Sequence, residues 1–387
     1  MTEFESAGWR LATRAIHVGQ EPDPATGATV PPIHPTSTYT QESPGKHKGF
    51  EYSRSGNPTR LGLERCLASL EGGAACCAFA SGSAATAAVF ATLSPGDKVL
   101  AYADVYGGTY RLLKQVFERY GIESVLTDDT APSSFANLID AKTKIVWLES
   151  PTNPLLRCLD IAAIAKIAHE AGARLVVDNT FATPVLQVPI SLGADYVVHS
   201  TTKYIGGHSD VIGGALIAKD EALMEPVSFL QNAMGGVPGP FDCYLAQRGI
   251  KTLVLRMERH CHNAAAVSEH LGGHPKLARV IYPFRRDHPD VELARRQMCG
   301  GGGMVSIAFK EDKAAVRFCE RIKVFALAES LGGVESLVCH PAIMTHASIP
   351  KEVREARGVT DSLVRISVGI EDIEDLIADL DQAMAKA

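Results

Sequence analysis

The chain is predicted to be an α/β protein, with a parallel sheet flanked by helices and a smaller α+β domain behind it. Three observations lead there. Its 387 residues exceed one ordinary core, so two domains sharing a cleft are expected. From about residue 57 to 250, short apolar runs alternate with amphipathic segments, as strands buried on both faces do when helices connect them. Beyond residue 251, Met304–Phe309 and Leu363–Val368 alternate in polarity like half-buried strands. The expected organisation is an arm over 1–56, an α/β domain over 57–250 and an α+β domain over 251–387.

The stretch before Tyr52 is rich in Pro, Gly, Thr and Ser and is expected to be an extended arm with little core of its own, in need of a partner surface. Ser81-Gly82-Ser83 precedes an Ala-rich segment, Ala84 to Leu93, that should be helical. Lys144–Leu148 and Arg174–Val177 are apolar runs that end in Glu149-Ser150-Pro151-Thr152-Asn153-Pro154 and in Asp178. Tyr196-Val197-Val198 runs into Ser200-Thr201-Thr202-Lys203-Tyr204-Ile205-Gly206-Gly207-His208. Asp160, the stripe Ile161, Ile164, Ile167, Ala168 and the closing Gly172 mark a capped helix. Lys251 to Leu271 reads as a helix leading to the second domain, Gly300–Gly303 as a bend, and Ile373, Leu376, Ile377 and Leu380 as the stripe of a final helix.

Composition excludes several classes. With 46% hydrophobic and 21% charged residues the chain is a globular enzyme type, neither disordered nor fibrous. A net charge of −6, without basic runs interleaved with aromatics, argues against a nucleic-acid partner. Met1-Thr2-Glu3-Phe4-Glu5 lacks the features of a signal peptide and no run approaches a membrane span, so a cytoplasmic protein is expected. Nine scattered cysteines without a Cys-x-x-Cys pair indicate reduced thiols. His260 and His262, two apart on a helix, face different ways, so no metal is expected.

Lys203 carries the chemistry. A lone lysine at a strand end is usually a solvated cation, but this one has company. Three apolar runs end in Asn153, Asp178 and Lys203, where an α/β sheet presents ligands. Pyridoxal phosphate needs a lysine to hold its aldehyde, a carboxylate to keep its ring nitrogen protonated and a polar clamp for substrate. The turn Ser81-Gly82-Ser83 opens a helix whose free N–H groups and dipole suit a phosphate, although by itself it is also an ordinary capped helix.

With these residues in view, the chain resembles the cysteine and methionine metabolism family of pyridoxal-phosphate enzymes over nearly its whole length. The resemblance is carried by Tyr52-Ser53-Arg54-Ser55-Gly56-Asn57-Pro58-Thr59-Arg60, Ala80-Ser81-Gly82, Tyr106-Gly107-Gly108-Thr109, the three strand ends, Ala328-Glu329-Ser330-Leu331-Gly332-Gly333 and Met344-Thr345-His346. It implies the aminotransferase-like fold type I, with Gly82, Ser200 and Thr202 on the phosphate beside Ser81 and Ser83. Tyr52 and Arg54 would reach that phosphate from a neighbouring subunit, in a tetramer built of two such dimers. By the same resemblance Tyr106 stacks on the ring and relays protons, Asp178 pairs with the ring nitrogen and Lys203 holds the aldehyde. Arg365 would bind the substrate carboxylate, assisted by Asn153, with Glu51, Glu329 and Ser330 also on the substrate. As bare sequence, Asp178 could cap a helix, Arg365 could face solvent and Glu329 could cap or pair in a loop.

Within the family Glu329 resembles γ-acting cystathionine enzymes, whereas methionine γ-lyases usually have an apolar residue there and a cysteine where Gly108 stands. Glu51 to Ser55 resembles cystathionine γ-lyases, whereas enterobacterial-type γ-synthases have Asp and Arg at the positions of Glu51 and Ser55, and that arginine could hold a succinyl carboxylate where Ser55 cannot. The expected substrate is a small sulfur amino acid, and cleavage of cystathionine to cysteine, 2-oxobutanoate and ammonia is favoured over its synthesis from an acylated homoserine. The alternatives are that synthesis and a pyridoxal-phosphate binder without catalysis. A dinucleotide-binding dehydrogenase is disfavoured because no Gly-x-Gly-x-x-Gly follows the first strand.

Overall fold

A computed structural model describes residues 8–347 and 350–387. The larger sheet has seven strands: β1 (Ala75–Phe79), β2 (Lys98–Tyr102), β3 (Glu123–Thr127), β4 (Thr143–Glu149), β5 (Arg174–Asp178), β6 (Tyr196–His199) and β7 (Gly214–Ala218). Their order is β1-β7-β6-β5-β4-β2-β3. Only β7 runs against the rest, antiparallel to both β1 and β6. The apolar runs of the sequence are its inner strands, and Leu175, Val176 and Val177 are fully buried because helices cover both faces.

The ends of β4, β5 and β6 lie side by side. Glu149 is in register with Asp178, and Asp178 with Val198, so the turn holding Lys203 leaves the sheet next to both carboxylates. The capped helix spans Ile161–Glu170, where Asp160 accepts from the Ala163 N–H at 3.0 Å. Its apolar stripe packs under the sheet.

The second sheet is formed by β8 (Leu277–Ile281), β9 (Met304–Phe309), β10 (Ala326–Leu327), β11 (Leu337–Cys339) and β12 (Leu363–Ser367) in the order β10-β11-β12-β9-β8. The helices Leu253–His270 and Ile373–Lys386 pack against it and share its core. His260 on the first of these is buried with Nδ1 on the Val368 carbonyl at 2.7 Å. No group of three metal-ligating side chains occurs among the described residues, and no described helix is long and apolar enough to cross a membrane.

The arm differs from expectation at its start. Leu11–His17 forms a helix whose Ala15 joins the core of the larger domain, because its apolar face meets the helix Pro58–Glu71. The signal-peptide reading of Met1–Glu5 lies outside the described residues. Residues 18–57 hold no helix or strand and are pinned at their end by Arg60, which donates to the carbonyls of Ser53 at 2.7 Å and Arg54 at 3.2 Å. The Ala-rich helix begins and ends earlier than predicted, at Gly82–Phe90, because Ser81 caps it by accepting from the Ala84 N–H at 3.1 Å.

Candidate active site

A cavity of about 280 Å³ opens where the two sheets meet, over the ends of β4, β5 and β6. It gathers Ser81, Gly82, Ser83, Tyr106, Asn153 and Asp178 from the larger domain, together with Ser200, Thr202 and Lys203. The smaller domain contributes Glu329, Ser330 and Arg365. Residues distant in sequence thus converge on one space.

Lys203 Nζ donates to Ser330 Oγ at 2.8 Å, a contact between the domains. Burial, followed by the charge of Arg365, lowers its pKa to about 8, while Glu329 pulls in the opposite direction. The backbone around it is braced by buried Arg256, whose Nη1 donates to the Tyr204 carbonyl at 2.6 Å and whose Nη2 donates to that of Gly249 at 2.8 Å. Gly207, with φ of +70°, lies so close to that guanidinium that any Cβ would collide with it.

Arg365 lies within β12 yet is only 2% exposed, because its strand faces the cleft and not solvent. Nη1 donates to Asn153 Oδ1 at 2.9 Å and Nη2 to the Ser330 carbonyl at 2.8 Å, while Nε has no partner. Ser330 itself has φ of +95°, a strained conformation for a serine that these contacts with Arg365 and Lys203 hold in place. Glu329 makes no hydrogen bond or ion pair among the described residues.

At one end of the cavity the helix Gly82–Phe90 presents its free N–H groups beside Ser200 and Thr202. A Cβ on Gly82 would sit 3.0 Å from Ser200 Cβ, so the bare backbone leaves room where the two segments approach. Ser81 lines the cavity, but its hydroxyl is the helix cap. Thr202 Oγ1 also has internal partners, donating to the Gly213 carbonyl at 3.2 Å and accepting from its N–H at 3.0 Å. Asp178, on the same lining, accepts from the Thr180 N–H at 3.0 Å. The lining therefore holds the group types that pyridoxal phosphate needs: free N–H groups and hydroxyls that would suit its phosphate, a carboxylate that would suit its ring nitrogen, and a lysine for its aldehyde.

Glu51, Tyr52 and Arg54 are exposed and do not line this chain's cavity, in a loop tied down where Arg60 donates to the Ser53 carbonyl; for Tyr52 and Arg54, expected to act on a neighbouring subunit, this leaves the expectation open. Tyr106 is in place, 42% exposed at the start of the short helix Gly107–Arg111.

Glu149, at the end of β4, joins the site although no motif in the sequence marks it. It is 5% exposed, and its two oxygens each accept from the Tyr106 N–H at 2.8 Å, with Thr109 Oγ1 at 3.3 Å. Burial, then the neighbouring Asp178, pushes its pKa well above the carboxylate range. Asp178 is also raised by burial, with the hydrogen bonds of Thr180 and the charge of His199 opposing the rise. Glu149→Gln, which stays neutral and keeps an acceptor for Tyr106, should retain kcat/KM within about fivefold, whereas Glu149→Ala should lose about 10²-fold as Tyr106 drifts. Steady-state turnover of both variants checks this, and a larger loss in the glutamine variant would mean that Glu149 acts as an anion.

Sheet order, cleft and donor set define a fold type I, pyridoxal-phosphate-dependent enzyme. The family profile described as Cys/Met metabolism PLP-dependent enzyme matches residues 12–385, and the chain belongs to that family. It is 54% identical to a cystathionine gamma-synthase of Mycobacterium bovis, over 96% of each chain. It is 51% identical to a cystathionine beta-lyase of Coxiella burnetii, over 99% of this chain and 100% of the other. The crystal structure of cystathionine gamma-lyase from Lactobacillus plantarum complexed with L-serine matches with a TM-score of 0.95 and 45% identity, over 98% of this chain and 99% of that one.

Proposed function

We propose that the enzyme cleaves L-cystathionine at its Cγ–S bond, adding water to yield L-cysteine, 2-oxobutanoate and ammonia. The observation that carries this reading is Glu329, an unpartnered carboxylate in the same cavity as Arg365 and Lys203. Cystathionine has an amino-acid group at each end. Arg365, with Nε still free, suits the carboxylate next to the reacting carbon, and Glu329 suits the distant ammonium.

Bound pyridoxal phosphate supplies an electron sink for charge developing at Cα. Lys203, lowered to about 8, can take a proton at Cα and another at Cβ near neutral pH. Ser330, 2.8 Å from Nζ, orients that amine in the free site. Tyr106, at the mouth, is placed to give a proton to the departing sulfur. Asn153 accepts from Arg365 Nη1 and fixes the guanidinium that would meet the substrate carboxylate.

The site is read as shared between subunits. Lys203 and Arg365 are the only basic side chains among the described residues lining the cavity, and neither belongs to the Gly82, Ser200 and Thr202 end. A phosphate there needs a cation from outside, and exposed Tyr52 and Arg54 suit that role on a neighbour, which supports an oligomer of dimers.

The 54% identity to a cystathionine gamma-synthase favours, as a second reading, synthesis of cystathionine from an acylated homoserine and cysteine. The deciding experiment is turnover of the purified protein with L-cystathionine, measuring 2-oxobutanoate and cysteine separately from pyruvate and homocysteine. The first pair is expected. Pyruvate with homocysteine would overturn the γ-cleavage, and cystathionine formed only from O-succinyl- or O-acetylhomoserine plus cysteine would establish the second reading.

A further inference from the structure

A second cavity, also of about 280 Å³, lies at the seam between the domains and shares no lining residue with the first. Its larger-domain wall includes Asp104, Leu155 and Arg157, and β8 contributes Arg279, Val280 and Ile281 from the smaller domain. Most of its charges are already paired. Arg157 grips Asp290 with Nε at 2.7 Å and Nη2 at 3.0 Å, Arg357 meets Asp128 at 3.0 Å, and Arg285 meets Asp287 at 2.9 Å.

Three groups are not used up in this way. The Arg279 side chain, exposed on β8, has no hydrogen bond or ion pair among the described residues. His288, 5% exposed, accepts from the Asp290 N–H through Nδ1 at 3.1 Å, so Nε2 carries the hydrogen. That Nε2 is buried without a hydrogen bond, the Leu156 carbonyl being near but outside bonding geometry. Asp104, 6% exposed, is in no ion pair among the described residues: it accepts from the Thr152 hydroxyl at 2.6 Å, with the Leu155 N–H beside it, and feels the charges of Arg357 and Arg157 only through space. An unpaired cation, a free N–H donor, a buried carboxylate and the aliphatic side chains of Leu155, Val280 and Ile281 in the lining of one cavity complement a small zwitterion with an apolar side chain.

We propose that this seam cavity binds an amino acid with an apolar side chain, its carboxylate on Arg279 and His288 and its ammonium on Asp104. Such a ligand would reach the active site through the loop that separates the two cavities. Asp104 holds Thr152, the residue before Asn153, and stands two residues before Tyr106. Occupancy at the seam therefore bears on Arg365, which Asn153 braces, and should appear in KM more than in kcat.

The test uses borohydride-reduced holoenzyme, whose cofactor is locked on its lysine and no longer exchanges with amino acids, titrated calorimetrically with L-methionine and L-leucine. Arg279→Met serves as the seam variant, because Arg279 touches nothing in the active site and its loss should leave basal turnover unchanged. The reduced wild type is expected to bind at least one of the two probes at one site per subunit, and Arg279→Met to bind it more than about tenfold more weakly. In unreduced enzyme that probe should change KM in the wild type and lose the effect in the variant, once competition at the active site is subtracted through the cofactor's visible absorbance. Absence of binding to the reduced wild type, or equal binding by Arg279→Met, would overturn the proposal.

Discussion

Replacing Lys203 with alanine is expected to lower kcat/KM by more than about 10³-fold and to remove the visible absorbance of lysine-bound cofactor, because no other amine among the described residues lines the cavity. The charge state of this lysine gives a finer test. Burial and Arg365 disfavour its protonated form, so the amine is neutral above about pH 8. Capture of added pyridoxal phosphate by the cofactor-free protein should therefore accelerate with pH and level off above about 8. Glu329→Gln removes the charge that favours protonation and should move that midpoint down, whereas Arg365→Leu should move it up. A midpoint near that of a solvated lysine would sink the assignment. Mixing Lys203→Ala with Arg54→Ala provides a separate check. If sites are shared, hybrid dimers contain one site with both residues, and random re-association should restore roughly a quarter of wild-type activity.

Arg365→Leu is expected to cost about 2–5 kcal/mol in kcat/KM, which is what removing one partner of a buried, hydrogen-bonded charge pair costs. The loss should fall mainly on KM, since the proposed contact with the substrate carboxylate would form before any bond breaks. Leucine also frees Asn153 Oδ1 and the Ser330 carbonyl, so the melting temperature and cofactor spectrum must be measured alongside. Arg365→Lys separates charge from shape. It keeps a cation but cannot span Asn153 and Ser330 while offering a further N–H to the substrate, so it should remain about tenfold or more below wild type. Recovery of full activity by lysine would show that charge alone matters.

Much of the larger domain was legible in the residues. The apolar runs ending in Asn153, Asp178 and Lys203 are strands and strand-end loops of one sheet, because strands buried on both faces have no choice but continuous apolar side chains. Ser81 and Asp160 cap helices as their types require, since a short side-chain oxygen satisfies an otherwise free N–H. The start of the arm was less legible. The small amphipathic segment Leu11–His17 is too short to be stable alone and is a helix because Pro58–Glu71 is there to receive it.

Glu149 shows where sequence reading stops. At the end of an apolar run it resembles any strand-end carboxylate. Only the register of β4 with β5 sets it beside Asp178, and only the turn after β2 brings the Tyr106 N–H onto it. Arg365 in an alternating strand was equally ambiguous until the sheet's orientation put its side chain into the cleft.

By itself, then, the sequence determined the alternation of elements, the caps and the chemical types present at the strand ends, because these depend on periodicity and on bonds between near neighbours. The tertiary structure alone decided which distant groups meet, Lys203 with Ser330, Arg365 with Asn153 and Glu149 with the Tyr106 N–H, and which share a cavity, as Arg279 and Asp104 do. Those meetings depend on sheet order and on the angle at which two domains pack, which no local pattern of residues encodes, and the burial they create is what shifts the charges used in catalysis.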